Sequence, residues 1–217
     1  MLVFDFFSGT GSSTQAFRDA GDTVISFELD TYFEADEHVD ILDLSAEYLF
    51  AKYGRPDFVW ASPPCTSFSV ASIGHHWLKG GANPEPKTEA AKESQNLVAH
   101  TRDLIKELNP VHGFLIENPR GMLRKLPVLA DLPRVTITYC RYGDDRMKPT
   151  DLWGEVDNWF PRPACKNGDS CHEAAPRGSK TGTQGLANAK IRSEVAPELS
   201  QELRASILGE ITNELLT

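Results

Sequence analysis

A lone thiol follows two prolines at Ser62-Pro63-Pro64-Cys65, directly behind the apolar run Phe58-Val59-Trp60-Ala61. Thiolates are strong nucleophiles, and a helix N-terminus or a nearby cation lowers the pKa that produces them. The prolines fix backbone torsions and remove two donors, so they set the direction of the residue behind them. The plainer reading is a buried structural cysteine, since a free cysteine taken alone is usually inert. A carboxyl group occupies a similar place in Glu117-Asn118-Pro119, behind a second apolar run. In a half-buried pocket it can keep its proton and act as an acid; otherwise it belongs to a turn capped by Asn118. A third cluster, Ser8-Gly9-Thr10-Gly11, follows the run Leu2–Phe7. Its glycines admit a ligand close to the backbone, and a following helix N-terminus favours polar or anionic groups. The lysine of a phosphate-binding P-loop is absent. Glu28 ends the next apolar run and is placed to take the ribose hydroxyls of an adenosine-type ligand, the alternative being a solvated carboxylate.

These groups meet only if the chain delivers them to one edge. Strand-like runs at Leu2–Phe7, Thr23–Phe27, Asp57–Ala61, Val111–Ile116 and Val135–Tyr139 alternate with helical stretches at Ser13–Ala20, Ser45–Tyr53 and Thr88–Leu108. That alternation predicts an α/β fold, a doubly wound and mostly parallel Rossmann-like sheet. In such sheets ligands bind beyond the carboxyl ends of the strands, where all four clusters fall. Residues 154–190 are rich in Pro, Gly, Cys and polar residues and read as a small irregular insert, and Glu198–Leu216 reads as a closing amphipathic helix.

The chain has 217 residues and a formal net charge of -9. Residues 1–119 carry a balance of -10, residues 120–192 of +5 and residues 193–217 of -4. A basic segment between acidic flanks suits a nucleic-acid face, though an uneven surface gives the same count. Neither a signal peptide nor a stretch of the ~20 apolar residues needed for a membrane span is evident. A cytoplasmic protein without membrane contact is expected. Four cysteines are too few for a disulfide framework and point to chemistry or metal.

The segments DFFSGTGSSTQAF, SPPCTSFS and IENPRG resemble, in order and spacing, three motifs of the cytosine-5 DNA methyltransferases, and Tyr142–Lys148 resembles a fourth without its usual glutamine. The resemblance covers about residues 1–153, more loosely 192–217. It implies a catalytic domain over 1–153 that binds S-adenosylmethionine, a target-recognition insert over 154–190 and a closing helix over 191–217. The cofactor would lie against Phe6, Ser8, Gly9, Thr10, Gly11, Glu28, Leu29, Asp40, Ile41 and Pro63. Cys65 would add to carbon 6 of a cytosine flipped out of double-stranded DNA, Glu117 would serve ring nitrogen 3, and Arg146 would anchor a phosphate or the base. Ser69, Asn118, Lys148, Arg177, Lys180 and Thr181 would contact substrate, with Ser69–Gly81 a mobile cover over the base. The compact size suits a monomeric phage or restriction–modification enzyme in a bacterial or phage-infected cell, and so short an insert leaves room for a partner that supplies specificity. Methylation of tRNA, and a non-catalytic DNA-binding relative, remain open.

One further cluster stands apart from that chemistry. Cys165-Lys-Asn-Gly-Asp-Ser-Cys171-His172, with Cys140, offers the three sulfurs and one nitrogen of a tetrahedral structural zinc site. Three unrelated thiols are the other reading.

Overall fold

The structure is a computed structural model, and it describes residues 1–78, 84–173 and 189–210. Seven strands form one sheet: β1 (Leu2–Phe6), β2 (Thr23–Glu28), β3 (Glu37–His38), β4 (Phe58–Ala61), β5 (Phe114–Pro119), β6 (Arg134–Thr138) and β7 (Pro149–Trp153). Their order is β3-β2-β1-β4-β5-β7-β6, and only the pairings of β7 are antiparallel. Six strands therefore point one way. This is a doubly wound, Rossmann-like sheet. The order turns back between β1 and β4, whose carboxyl ends carry the glycine loop and Cys65, so the two clusters border one crevice.

Parallel strands must be covered on both faces, which explains why Phe58–Ala61 is buried throughout. One face takes α2 (Ala46–Tyr53) and α4 (Glu89–Leu108), whose Leu49, Val98, Leu104, Ile105 and Leu108 pack on Phe4, Val59 and Ile116. Side-chain caps start both helices: Ser45 accepts from Tyr48 N and Thr88 from Ala91 N. The other face takes α1 (Gln15–Asp19) and α6 (Pro197–Ile207), with Phe17, Leu199 and Leu203 on Val3, Phe58 and Trp60. Two further helices are short, α3 (Ile73–His76) and α5 (Ala189–Ser193). Among the described residues no helix is long and apolar enough to cross a membrane.

The structure differs from the sequence reading at several ends. β5 starts at Phe114 rather than Val111, because Gly113 turns through a φ of 97° and passes so close to Glu155 O that a side chain could not fit. β7 was not expected at all: it opens on a proline and buries Asp151, whose charge Arg124 neutralises and to which Thr136 donates a hydrogen bond. The closing helix ends at Ile207, not Leu216, and residues 211–217 lie outside the described part. Within residues 154–162, expected in the insert, Val156 and Trp159 are buried against the core. Trp159 joins its apolar cluster and donates to Glu202 at 3.0 Å, and Arg162 bonds Glu198 and Glu202.

Candidate active site

The glycine loop leaves β1 through left-handed backbone at Phe7, Gly9 and Gly11. Glu28, at the end of β2, accepts from Gly9 N at 2.9 Å and from Asp30 N at 3.0 Å. It thus ties the loop to its neighbouring strand. Behind the loop, the fully buried Asp5 accepts the Ser13 hydroxyl at 3.0 Å and the Thr14 hydroxyl at 2.7 Å. Burial still pushes its carboxyl up to about 6. Val195 N donates to Ser12 Oγ at 2.9 Å, so the segment before α6 closes one side. Thr10 and Ser12 line a cavity of about 360 Å³ there, opposite Glu194, Val195 and Pro197.

Two features fit this loop to a polar ligand. Nothing lies within 4 Å of where a Gly11 Cβ would stand, so its backbone is open to approach. The Ser8 hydroxyl is buried without a hydrogen-bond partner among the described residues, a capacity that proteins rarely leave unused. Leu29, 64% exposed, extends the open edge past Glu28. The side chains of two expected cofactor contacts lie in the core. Phe6 is fully buried among Phe4 and Phe27, and its carbonyl accepts Ser62 N. The side chain of Ile41 is likewise in the core, while Asp40 caps the turn that carries it by accepting Leu42 N. The half-buried Phe7, one residue beyond β1, is the aromatic at the strand end that the sequence reading passed over.

Across the crevice, Pro63 is buried and Cys65 half-buried. The carbonyl of Cys65 accepts both Phe68 N and Ser69 N at 2.9 Å, which curls the chain into a tight turn behind the thiol. Asn118 Nδ2 donates to Pro63 O at 2.9 Å and locks this turn to the end of β5. Next to it Glu117 is buried and accepts the Tyr139 hydroxyl at 3.1 Å. Lys148 Nζ lies 4.3 Å over the Tyr139 ring and donates to Glu194 O. Lys148 has a φ of 27°, a left-handed backbone that costs a side chain ~1–3 kcal/mol and tends to mark functional positions.

Cys65, Glu117 and Lys148 are electrically coupled. Burial raises the thiol above the ordinary cysteine range and the Glu117 charge raises it further, against Lys148 and Arg192. Burial also raises Glu117, opposed by Lys148 and by the bonds from Tyr139 and Ser62. Burial lowers Lys148. The result is a nucleophile beside a carboxyl group that holds its proton above the usual carboxylate range. Tyr139 was absent from the sequence-based site, although the strand-end rule applied to β6 points to it.

The remaining expected residues divide. Arg146 is buried and bonds Asp144 and, at 2.6 Å, the carbonyl of Ile191. Its guanidinium braces the chain ahead of β7 against α5. Ser69 Oγ shares a 2.9 Å bond with Ser72 Oγ at the rim. The expected mobile cover is folded in its described part: α3 forms, and Trp77 is buried, stacked on Phe68, with its Nε1 on Ser67 O at 2.7 Å. Gly80 and Gly81 lie outside the described residues, as do Arg177, Lys180 and Thr181. Cys140, Cys165, Cys171 and His172 do come together.

The family model of C-5 cytosine-specific DNA methylases matches residues 1–127, a stretch that holds the glycine loop, Cys65 and Glu117. The chain belongs to that family. A protein of Frog virus 3 (isolate Goorha) described as a probable DNA (cytosine-5)-methyltransferase is 27% identical over 222 residues, covering 94% of this chain and 98% of its own length. In fold, the chain resembles the Entamoeba histolytica methyltransferase EhMeth, with a TM-score of 0.54 and 14% identity over 78% of this chain. The chain spans 57% of that solved chain. As a member of the family it is a methyltransferase of cytosine, and its glycine loop, thiol and buried acid stand at the carboxyl ends of the neighbouring parallel strands β1, β4 and β5.

Proposed function

We propose that this methyltransferase uses S-adenosylmethionine to methylate carbon 5 of cytosine in double-stranded DNA through a covalent bond from Cys65. The observation that carries the reading is the coupled trio at the ends of β4, β5 and β7: a rigidly aimed thiol, a buried acid whose proton is held, and a buried cation beside both.

The cofactor would be held by the Ser8–Gly11 loop, Glu28 and the exposed edge at Leu29. Bound there, it supplies the electrophilic methyl group that carbon 5 takes up. The chain's own residues make carbon 5 able to accept it. The Cys65 thiolate bonds to carbon 6, and the electrons of the 5,6 double bond shift toward carbon 5. Glu117 donates its hydrogen bond or proton to ring nitrogen 3, where the ring would otherwise gather negative charge. After methylation, carbon 5 loses its proton, the double bond re-forms and the carbon–sulfur bond to Cys65 breaks. A base in a duplex hides these atoms, so the cytosine must leave the stack. Asn118 holds Pro63, and so the thiol's direction, from behind.

A duplex with 5-fluorocytosine at candidate positions tests the covalent step, because fluorine cannot leave carbon 5 as a proton does. The expected outcome is a denaturation-resistant protein–DNA adduct that forms with cofactor and maps to the peptide holding Cys65. An adduct on another residue, or none with a duplex that is otherwise methylated, would overturn the mechanism.

A further inference from the structure

Residues 163–173 follow the core without a core of their own. Within that stretch only Cys165 is buried. Yet the segment is folded. Asp169 accepts Lys166 N at 2.8 Å, Gly168 turns through a φ of 98°, Cys165 N donates to Thr138 Oγ1 at 2.9 Å, and Glu173 N donates to Asp145 O at 3.0 Å. Apolar burial this small does not hold a polar segment in place, and small segments of this kind are held by a metal or a cross-link.

The ligand atoms for a metal are assembled. One atom from each of Cys140, Cys165, Cys171 and His172 lies within 4.8 Å of the others. The Cys171–Cys140 sulfurs are 3.6 Å apart, and His172 Nδ1 is 3.7 Å from Cys165 Sγ and 3.6 Å from Cys171 Sγ. A tetrahedron with zinc–sulfur bonds of about 2.3 Å and zinc–nitrogen bonds of about 2.0 Å places sulfurs about 3.8 Å apart and nitrogen about 3.5 Å from sulfur. The Cys140–Cys165 pair is closer, at 3.1 Å. A disulfide would use two of these groups and leave a third thiol and an imidazole gathered for no purpose. Three sulfurs and one nitrogen suit zinc better than harder cations.

We infer that Cys140, Cys165, Cys171 and His172 hold a structural zinc ion that fastens the segment 163–173 to the end of β6. The set closes four positions with protein ligands, so the ion braces rather than catalyses. Cys140 directly follows Tyr139, whose hydroxyl bonds Glu117. The same ion therefore anchors the segment leading into residues 174–188 and steadies the chain beside the buried acid.

The full chain, expressed with zinc and purified without chelator, is measured for metal by mass spectrometry. About one zinc per chain is expected, retained in Cys65→Ser and lost from Cys171→Ser and His172→Ala. Because those variants can also fail to fold, cobalt substitution of the unaltered chain is the second measurement. The expected spectrum has the intense ligand-field absorption of tetrahedral cobalt and a thiolate-to-cobalt charge-transfer band. Chain purified without zinc, or an octahedral cobalt spectrum without the charge-transfer band, would overturn the assignment, as would a mass showing two of these cysteines oxidised to a disulfide.

Discussion

Asn118 and Pro63 are joined by a buried 2.9 Å hydrogen bond from Nδ2 to a carbonyl that no longer belongs to a strand ladder. The bond couples the two strand ends that carry Cys65 and Glu117, so thiol and acid move as one unit. Asn118→Ala removes the donor and leaves the Pro63 carbonyl without it, which costs about 1–3 kcal/mol. The urea midpoint should fall accordingly, and methyl transfer should fall further than loss of folded protein explains. Unchanged turnover per folded molecule would show that the bond does not aim the thiol.

Glu117→Gln keeps an oxygen for the Tyr139 hydroxyl but loses the proton held for the base. The expected loss in kcat is about 10²–10⁴-fold, the usual size of a general-acid contribution, with near-normal stability. Steady-state turnover beside a thermal melt measures both. A loss below about tenfold would take Glu117 out of the chemistry.

Lys148 is the cation that opposes the upward shift of both Cys65 and Glu117. In Lys148→Met the thiol and the acid both rise further. Both limbs of the pH profile of kcat/KM, which report the ionisations of Cys65 and Glu117, should move to higher pH. An unshifted profile at reduced height would make Lys148 structural only.

Asp5 contributes to stability with a defined sign. Its folded pKa of about 6 lies above the ordinary 3.8, so the folded state binds the proton more tightly. The contribution is complete below about pH 4 and is lost as pH rises through about 6, by at most ~3 kcal/mol for a shift of this size. Asp5→Asn has no such titration. Denaturant midpoints of the two proteins should therefore diverge between about pH 4 and 6, the wild type losing ground as pH rises. Parallel curves would contradict the buried-acid description.

Much of this was readable in the chain because strand ends advertise themselves. Pro63-Pro64, Glu117-Asn118-Pro119 and the glycine loop each interrupt an apolar run, and a parallel sheet delivers such interruptions to one edge. Phe58–Ala61 showed its burial on both faces directly. β7 did not, because the partners that make Asp151 tolerable, Arg124 and Thr136, are distant in sequence. Phe6 and Phe7 are indistinguishable in a run; the left-handed turn at Phe7 leaves Phe6 fully buried and Phe7 only half-buried against the core. The engagement of Arg146 with Asp144 and Ile191 was not readable, because it depends on where α5 lies.

The central claim is tested most directly by the nucleosides released after the protein acts on duplex DNA, and separately on tRNA, with S-adenosylmethionine present. The expected products are 5-methyldeoxycytidine from DNA, none from Cys65→Ala, and no methylated cytidine from tRNA. Methylcytidine confined to tRNA would contradict the assignment of substrate, and product formed equally by Cys65→Ala would contradict the role given to the thiol.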